Sequence, residues 1–500
     1  MSEAPLYLDY AATTPVDPAV AAAMSECLTA DGDFGNPSSA HDYGTRAAAR
    51  IEHARAQVAA LLGAQPQQIV FTSGATESNN LAILGYARAN AHRGRHLVSA
   101  RTEHKSVLDT CRRLEKEGFT ITWLTPTHSG RIDPQVLAAA LRADTILVSV
   151  MHVNNETGVI EEVAALGALC AARGIAFHSD CAQAAGKVPL DFARLPLDFA
   201  SLTAHKLYGP KGIGALYVRR GARAALQPLI HGGGQERGLR PGTLATHQIV
   251  GFGTACELAA GALPAESARQ LRLRERLWQG LAAFGGTHLN GAAAPRVPGI
   301  LNVSFEGVQG ESLVAALAAL AVSTGSACSS DSPEPSYVLR ALGRGTQLAQ
   351  SSLRFSLGRF TSEADIDRAL RCVERELARL RALSPQAAAP YTPERWPAVG
   401  PAAAAVVSGE GGGPGQDTWV RFQLLVADGT VKDARFQAFA CPHTTAVAAW
   451  LCGQLPGRAR AALIPGSPAE WAAARGIPVE KLGRLLVVED ALRACLSHWA

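Results

Sequence analysis

Ser201-Leu202-Thr203-Ala204-His205-Lys206-Leu207-Tyr208-Gly209-Pro210-Lys211-Gly212 lies between two apolar runs, Leu197 to Leu202 and Ile213 to Val218. Both runs have the length and content of buried strands, and Gly209-Pro210 can continue neither element. Lys206 therefore stands at a strand end, with Thr203 and His205 beside it. An amine held there can condense with an aldehyde cofactor. A solvated lysine is the ordinary occupant of such a turn, so the assignment depends on partners elsewhere in the chain.

Outward from this stretch, further apolar runs cover Gln68 to Thr72, His96 to Ala100, Phe119 to Leu124, Thr145 to Val150 and Ile175 to Ser179. Helical patterns over His104 to Lys116, Pro134 to Arg142 and Ile160 to Arg173 separate several of them. Strand, helix, strand at this spacing predicts an α/β domain with a mostly parallel seven-stranded sheet between helices. The two strands flanking Lys206 are too close for a helical crossover, so an antiparallel member is expected there. From about Ala260 the pattern changes to longer helices (Ser267 to Phe284, Glu311 to Leu320, Glu363 to Leu383), with strands near Ile300 to Phe305 and Leu353 to Ser356. The expected units are a large domain over 15–260, a smaller α+β domain from 1–14 and 261–384, a Gly/Ala/Pro-rich flexible linker over 385–416, and a last unit over 417–500. The last unit shows two strand-like segments around Asp428-Gly429 and then helix.

Five hundred residues with 47% hydrophobic and 18% charged side chains describe a well-buried globular chain of about three units. A net charge of +4 offers no nucleic-acid footprint, and no basic run marks a membrane surface. Met1 to Pro5 lack the features of a signal peptide, and the longest apolar run, Leu313 to Val322, is about half a bilayer span. A cytoplasmic location is expected, with the ten cysteines mostly reduced. None forms a Cys-x-x-Cys pair, which argues against structural zinc.

In open α/β sheets, ligands sit at the carboxyl ends of strands. The end at Thr72-Ser73-Gly74-Ala75-Thr76 is a small-residue turn opening a helix, suited to holding a phosphate through backbone N–H groups and the Thr76 hydroxyl. Asp180 ends another strand, where a carboxylate can keep a pyridinium nitrogen protonated, and Gln183 can hydrogen-bond a ring phenolate. His104 opens a helix after a third strand end and can stack on a ring and move protons. Asn155 lies in an Asn-Asn-Glu-Thr-Gly loop. Together these residues suit pyridoxal phosphate. A second centre is Cys328, among small, polar residues from Ser323 to Asp331, where a mobile thiolate can react and then swing out. Arg354 alternates with Leu353 and Phe355 and can clamp a carboxylate. Cys27, Cys111, Cys170, Cys256, Cys372 and Cys495 read as small buried hydrophobes.

Leu8-Asp9-Tyr10 with Ala12 to Pro15, Thr72 to Asn79, Thr102 to Lys105, His152 to Gly158, Ser201 to Gly212, His231 to Thr243, Ser323 to Ser329 and Ser351 to Phe360 together resemble cysteine desulfurases of the housekeeping iron–sulfur assembly type. The resemblance covers residues 5 to 385. It implies a fold-type-I pyridoxal-phosphate transferase, homodimeric, acting on L-cysteine and passing sulfur to an iron–sulfur scaffold protein and other acceptors. It implies Lys206 as the Schiff-base lysine, Cys328 as the persulfide-forming nucleophile and transient iron–sulfur ligand, and His104 as the ring-stacking acid/base. Asp180, Gln183 and Asn155 take the ring and substrate, and Ala75, Thr76, Thr203 and His205 form the phosphate cradle. Thr243 reaches the phosphate of the other subunit, and Arg354 anchors the substrate carboxylate. A selenocysteine lyase remains the nearest enzymatic alternative.

Residues 417–500 resemble a degenerate iron–sulfur scaffold, at Val431 to Phe436, at Cys441 and at Val488 to Ala491. Of three expected cluster cysteines only Cys441 matches. Gly415 stands near the first position, Arg484 occupies the last, and Asp417 matches an aspartate near the first. Cys452 would lie about 16 Å from Cys441 along a helix. Cys441, ahead of Pro442 at a helix N-terminus, is the candidate sulfur acceptor, and the alternative is a regulatory tail that docks partners.

Overall fold

The N-terminal arm contributes a two-residue strand, β1 (Leu6–Tyr7). The computed structural model describes residues 4–222, 225–292, 294–324, 335–382, 405–413 and 418–499. The apolar runs then form β2 (Ile69–Thr72), β3 (His96–Ala100), β4 (Thr120–Leu124), β5 (Thr145–Ser149), β6 (Ala176–Asp180), β7 (Phe199–Thr203) and β8 (Gly214–Val218). They make one seven-stranded sheet in the order β2-β8-β7-β6-β5-β3-β4. All except the edge strand β4 are buried along their whole length, as sequences without alternation must be when helices cover both faces.

β8 is antiparallel to both β2 and β7, and the remaining pairs are parallel. Residues 204–213 are too few for a crossover, which forces this reversal. β2 consequently runs with β7, so the carboxyl ends of β2, β3, β5, β6 and β7 share one edge of the sheet. Thr72, Ala100, Ser149, Asp180 and Thr203 all lie there.

The smaller unit carries β9 (Thr287–Leu289), β10 (Ile300–Phe305), β11 (Leu320–Ala321) and β12 (Ser352–Ser356). β10 lies between β12 and β9, antiparallel to both, and β11 pairs in parallel with β1. The helix expected over Glu311 to Leu320 ends earlier, at Gly310–Ala316, because Leu320 and Ala321 are taken by that pairing. The change of pattern near Ala260 falls inside one continuous helix, Thr246–Ala283, with Pro264 within it. Its first half places Ile249, Phe252, Cys256 and Ala259 in the core of the large sheet. Its second half places Leu273, Leu277 and Leu281 in the core of the smaller unit. One helix thus joins the two cores, and the boundary at 260 is a change of partner along it.

The tail forms a three-stranded antiparallel sheet of β13 (Ala405–Gly413), β14 (Thr418–Ala427) and β15 (Thr430–Phe439). Asp428 and Gly429 both have positive φ, at 52° and 67°, as the two-residue hairpin expected of Asp-Gly requires. β13 lies in the stretch expected to be linker, and its glycines explain the misreading. A Cβ on Gly409 would lie 2.2 Å from Cys495 N, and one on Gly411 2.2 Å from Val487 O. Both belong to the helix Leu482–His498, which lies directly on the strand backbone. The glycine-rich sequence is a contact surface at strand spacing. The rest of the expected linker, 385–404 and 414–416, lies outside the described residues. No described helix is long and apolar enough to cross a membrane.

Candidate active site

A cavity of about 520 Å³ opens at the shared strand edge. Ala75, Thr76, His104, Asn155, Asp180, Gln183, Thr203, His205 and Lys206 all line it. These nine positions span more than a hundred residues of sequence and come from five strand ends.

At the end of β2, Gly74 has φ 154° and ψ 178°, open only to glycine, and caps the helix Ala75–Ala89. The turn is pinned from below, since a Cβ on Gly214 at the start of β8 would lie 2.6 Å from Gly74 Cα. First-turn N–H groups of a helix have no intrahelical acceptor. With the Thr76 and Thr203 hydroxyls beside them, they form an anion cradle at the positive end of the helix. His205 donates to or accepts from Thr13 Oγ1 at 3.1 Å. Burial, reinforced by Lys206, Lys211 and Lys187, holds its pKa down at about 4, so the imidazole is neutral.

Asp180 is 6% exposed at the end of β6. Its Oδ1 accepts from Ala182 N at 2.9 Å and its Oδ2 from Asn79 Nδ2 at 2.8 Å. Asn79 also donates to Ser106 Oγ at 2.8 Å, and Ser106 Oγ lies 2.8 Å from His104 Nδ1. A hydrogen-bonded chain thus links the carboxylate to the imidazole. His104 Nδ1 accepts from the backbone N–H of Ser106 at 3.1 Å as the cap of the helix Lys105–Glu115, so the proton of the neutral ring sits on Nε2. Asn79 and Ser106 were not singled out by sequence, because polar residues in the first turns of helices are commonplace. Their spacing after Gly74 and His104 is the only signal.

The N-terminal arm closes the lysine turn. Lys206 Nζ donates to Ala11 O at 2.5 Å, Gln183 Nε2 to the same carbonyl at 2.8 Å, and Tyr208 N to Thr14 Oγ1 at 2.8 Å. Because the first two contacts use a backbone carbonyl of the arm, side-chain types could not announce them.

Arg354, on β12, is 5% exposed and does not line the cavity. Its Nη1 donates to Asn155 O and its Nη2 to Asp9 Oδ1, each at 2.8 Å. Arg354 Nε and Asn155 Oδ1 are buried polar atoms with no hydrogen-bond partner among the described residues. Such atoms fit a site built for a polar guest. Thr243 is exposed in the loop before the helix Thr246–Ala283, outside the cavity of its own chain. Cys328 lies outside the described residues, which end at Thr324 and resume at Pro335 on either side of it.

In the tail, Cys441 is fully buried and caps the helix Pro442–Cys452, with Cys452 at its far end. Its Sγ lies 3.3 Å from Thr444 Oγ1 and beside the guanidinium of Arg484, the residue at the expected last cluster position. Arg484 Nη1 also donates to Glu311 at 3.0 Å, and Lys481 Nζ to the same carboxylate at 2.9 Å. Ser312 Oγ donates to Ala440 O at 2.5 Å. The tail is therefore clamped to the helix Gly310–Ala316. Gly415 and Asp417 lie outside the described residues.

The profile of the aminotransferase class-V family matches residues 6–369. A relative from Enterobacter sp. (strain 638), cysteine desulfurase IscS, is 56% identical over 382 residues, covering 76% of this chain and 95% of its own. Among solved structures, a NifS-like protein superposes with a TM-score of 0.70 at 36% identity, covering 75% of this chain and 100% of that one. SspA in complex with cysteine superposes with a TM-score of 0.64 at 39% identity, covering 71% and 99%. The family match ends before the tail.

Proposed function

The chain belongs to the class-V aminotransferase family as a pyridoxal-phosphate-dependent cysteine desulfurase, and from that premise we propose the residues that carry its reaction. The cavity fits the cofactor on its own evidence: an anion cradle, a carboxylate held at the opposite end, an amine, and an orphaned amide oxygen. Ala75, Thr76, Thr203 and His205 would hold the phosphate, Asp180 the ring nitrogen, Gln183 the phenolic oxygen and Lys206 the aldehyde carbon. When bound, the cofactor supplies an electron-withdrawing ring conjugated to the substrate amine.

The chain's own groups do the rest. Arg354 takes the cysteine carboxylate, exchanging the Asp9 contact for it, beside Asn155. His104 holds its mobile proton on Nε2, with the ring oriented through Ser106 and Asn79. The Cys328 thiolate forms a bond to the substrate sulfur while the carbon–sulfur bond breaks, its electron pair going to the carbon that becomes the methyl of alanine. The sulfur remains on Cys328 as a persulfide and passes to a scaffold protein or another thiol acceptor. Two copies form a homodimer in the cytoplasm, each lending Thr243 to the other's phosphate cradle.

The observation that carries this reading is the convergence of nine residues from five strand ends on one cavity. It is tested with two variants. Lys206→Ala is expected to lose the visible absorbance of the bound cofactor. Cys328→Ala is expected to keep that absorbance and release no alanine from cysteine; normal alanine release would remove the role given to that thiol.

For the tail, the burial of Cys441 and its contacts with Thr444 and Arg484 favour docking and gating over direct relay in the clamped state. Cys441 becomes a sulfur acceptor only when the clamp at Glu311 opens. Mass spectrometry after reaction with cysteine tests this. Extra sulfur on Cys441 at wild-type clamp strength would overturn the gating.

A further inference from the structure

Lys187 is a buried titratable group beside the site that the proposed reaction leaves unused. It follows Gln183 by four residues on the turn after β6, and its Nζ donates to Gln183 Oε1 at 2.5 Å. The other end of the same amide donates to Ala11 O, the carbonyl that also receives Lys206 Nζ. Lys187, Gln183, the arm and Lys206 therefore form one hydrogen-bonded row. A primary amide whose oxygen is held by an ammonium has only its N–H groups left to present to another partner. Were Lys187 apolar, the amide oxygen would lose its donor, and only the Ala11 carbonyl would hold the amide in this orientation.

Lys206 also lines a second space of about 30 Å³, room for a single water. Lys187 lines it too, with Tyr10, Tyr208, Glu266 and Arg359. The acidic group facing it is already matched, because Glu266 accepts from Arg359 at 2.5 Å, and Arg359 also bridges to Asp17 at 2.5 Å. Arg354 is matched by Asp9. Burial raises Tyr10 and Tyr208 and keeps them neutral, and His205 is neutral as well. Lys187 thus faces Lys206 with no carboxylate of its own among the described residues. Burial first, then Lys206 and Arg354, bring its pKa down to about 7.

From this row of contacts we propose that Lys187 is a positioning residue, which holds the Gln183 amide nitrogen toward the cofactor and sets a positive charge near Lys206. The inference rests on the assignment of Lys206 and Gln183 to the cofactor. The amide contact, which a neutral amine also makes, acts throughout, and the charge acts below about pH 7; both act in one direction. A cation near the linked amine disfavours its protonated form, and so does an amide that stabilises the ionised phenolic oxygen.

The test is a pH titration of the visible absorbance of the bound cofactor, from about pH 6 to 10, on holoenzyme without substrate. A unit charge within roughly 10 Å at an effective dielectric near 20 shifts a midpoint by about one pH unit. Lys187→Met is expected to raise the midpoint by about that much, and Lys187→Arg, which keeps charge and donor, to leave it within a few tenths. Lys187→Leu, which likewise removes both donor and charge, gives the same rise and carries the test if the methionine variant does not fold. An unmoved midpoint in either neutral variant overturns the proposal, as does an equal rise in Lys187→Arg. The parent assignment fails separately, on a Lys206→Ala protein that keeps the visible band.

Discussion

Replacing Glu311 with glutamine removes one charge from a junction that holds two parts of the chain together across 170 residues of sequence. The carboxylate receives Lys481 at 2.9 Å and Arg484 at 3.0 Å. It sits in the first turn of the helix Gly310–Ala316, where negative charge is favoured. Each pair has a gross Coulomb attraction of about 4 kcal/mol at an effective dielectric of 20. Glu311 is 35% exposed, so solvent screening and the cost of ordering the side chains cancel most of it. The two cations, at 12% and 21% exposure, lose more on being left unmatched than surface groups would. A net loss of about 1.4 kcal/mol of docking free energy is expected, a tenfold rise in the undocked fraction. The assay is alkylation of Cys441 under native conditions, followed by mass spectrometry. Cys495 is the internal control, because it is equally buried but lies in the tail's own core. In Glu311→Gln, Cys441 is expected to react about ten times faster while Cys495 stays protected. Equal Cys441 rates in the two proteins would refute the clamp. Equal acceleration of both thiols would show that the tail unfolds instead of undocking.

Arg354→Lys keeps the charge but loses the fork to Asn155 O and Asp9, so kcat/KM for cysteine is expected to fall about 100-fold, mainly through KM; unchanged KM in steady-state kinetics would remove the anchor role. Asn79→Ala breaks the chain from Asp180 to His104, and kcat is expected to fall about tenfold with the cofactor spectrum retained; an unaltered kcat would make that chain purely structural. Gly411→Val drives a side chain into the backbone of Leu482–His498, destabilising the tail by about 3 kcal/mol, visible in calorimetry as an earlier tail transition; a tail that melts unchanged would disprove the close packing. Burial holds His178 at about 4, below its unfolded value near 6.5, so its contribution is complete above that value and is lost as the pH falls toward 4. That is about 3 kcal/mol, and His178→Asn is expected to flatten the fall of Tm between pH 6.5 and 4; an equal slope would exclude this histidine as the cause.

The strands and the cofactor cavity were legible for one physical reason. A strand buried on both faces must be apolar along its length, and its chemistry must wait for the end, so Thr72, Asp180 and Thr203 announce themselves where the apolar run stops. The same reasoning fails where burial is supplied by backbone. β13 is rich in glycine because a helix needs the space, yet glycine in sequence signals freedom. Ala11 orders both Lys206 and Gln183 through a carbonyl that every residue possesses.

Lys187 and the clamp at Glu311 mark two further limits. A lysine four residues after a glutamine has an i,i+4 spacing that permits contact, but only the fold shows that the contact lies in one row with Ala11 and Lys206. Glu311 finds Lys481 and Arg484 across two folded units, and no local pattern encodes that distance. Arg484, where the sequence resemblance leads one to expect a cluster cysteine, lies beside Cys441 and reaches Glu311 of the catalytic unit. One thiol beside a guanidinium that is itself tied to a partly buried carboxylate offers too few ligands for an iron–sulfur cluster, so the geometry at Cys441 suits a structural junction.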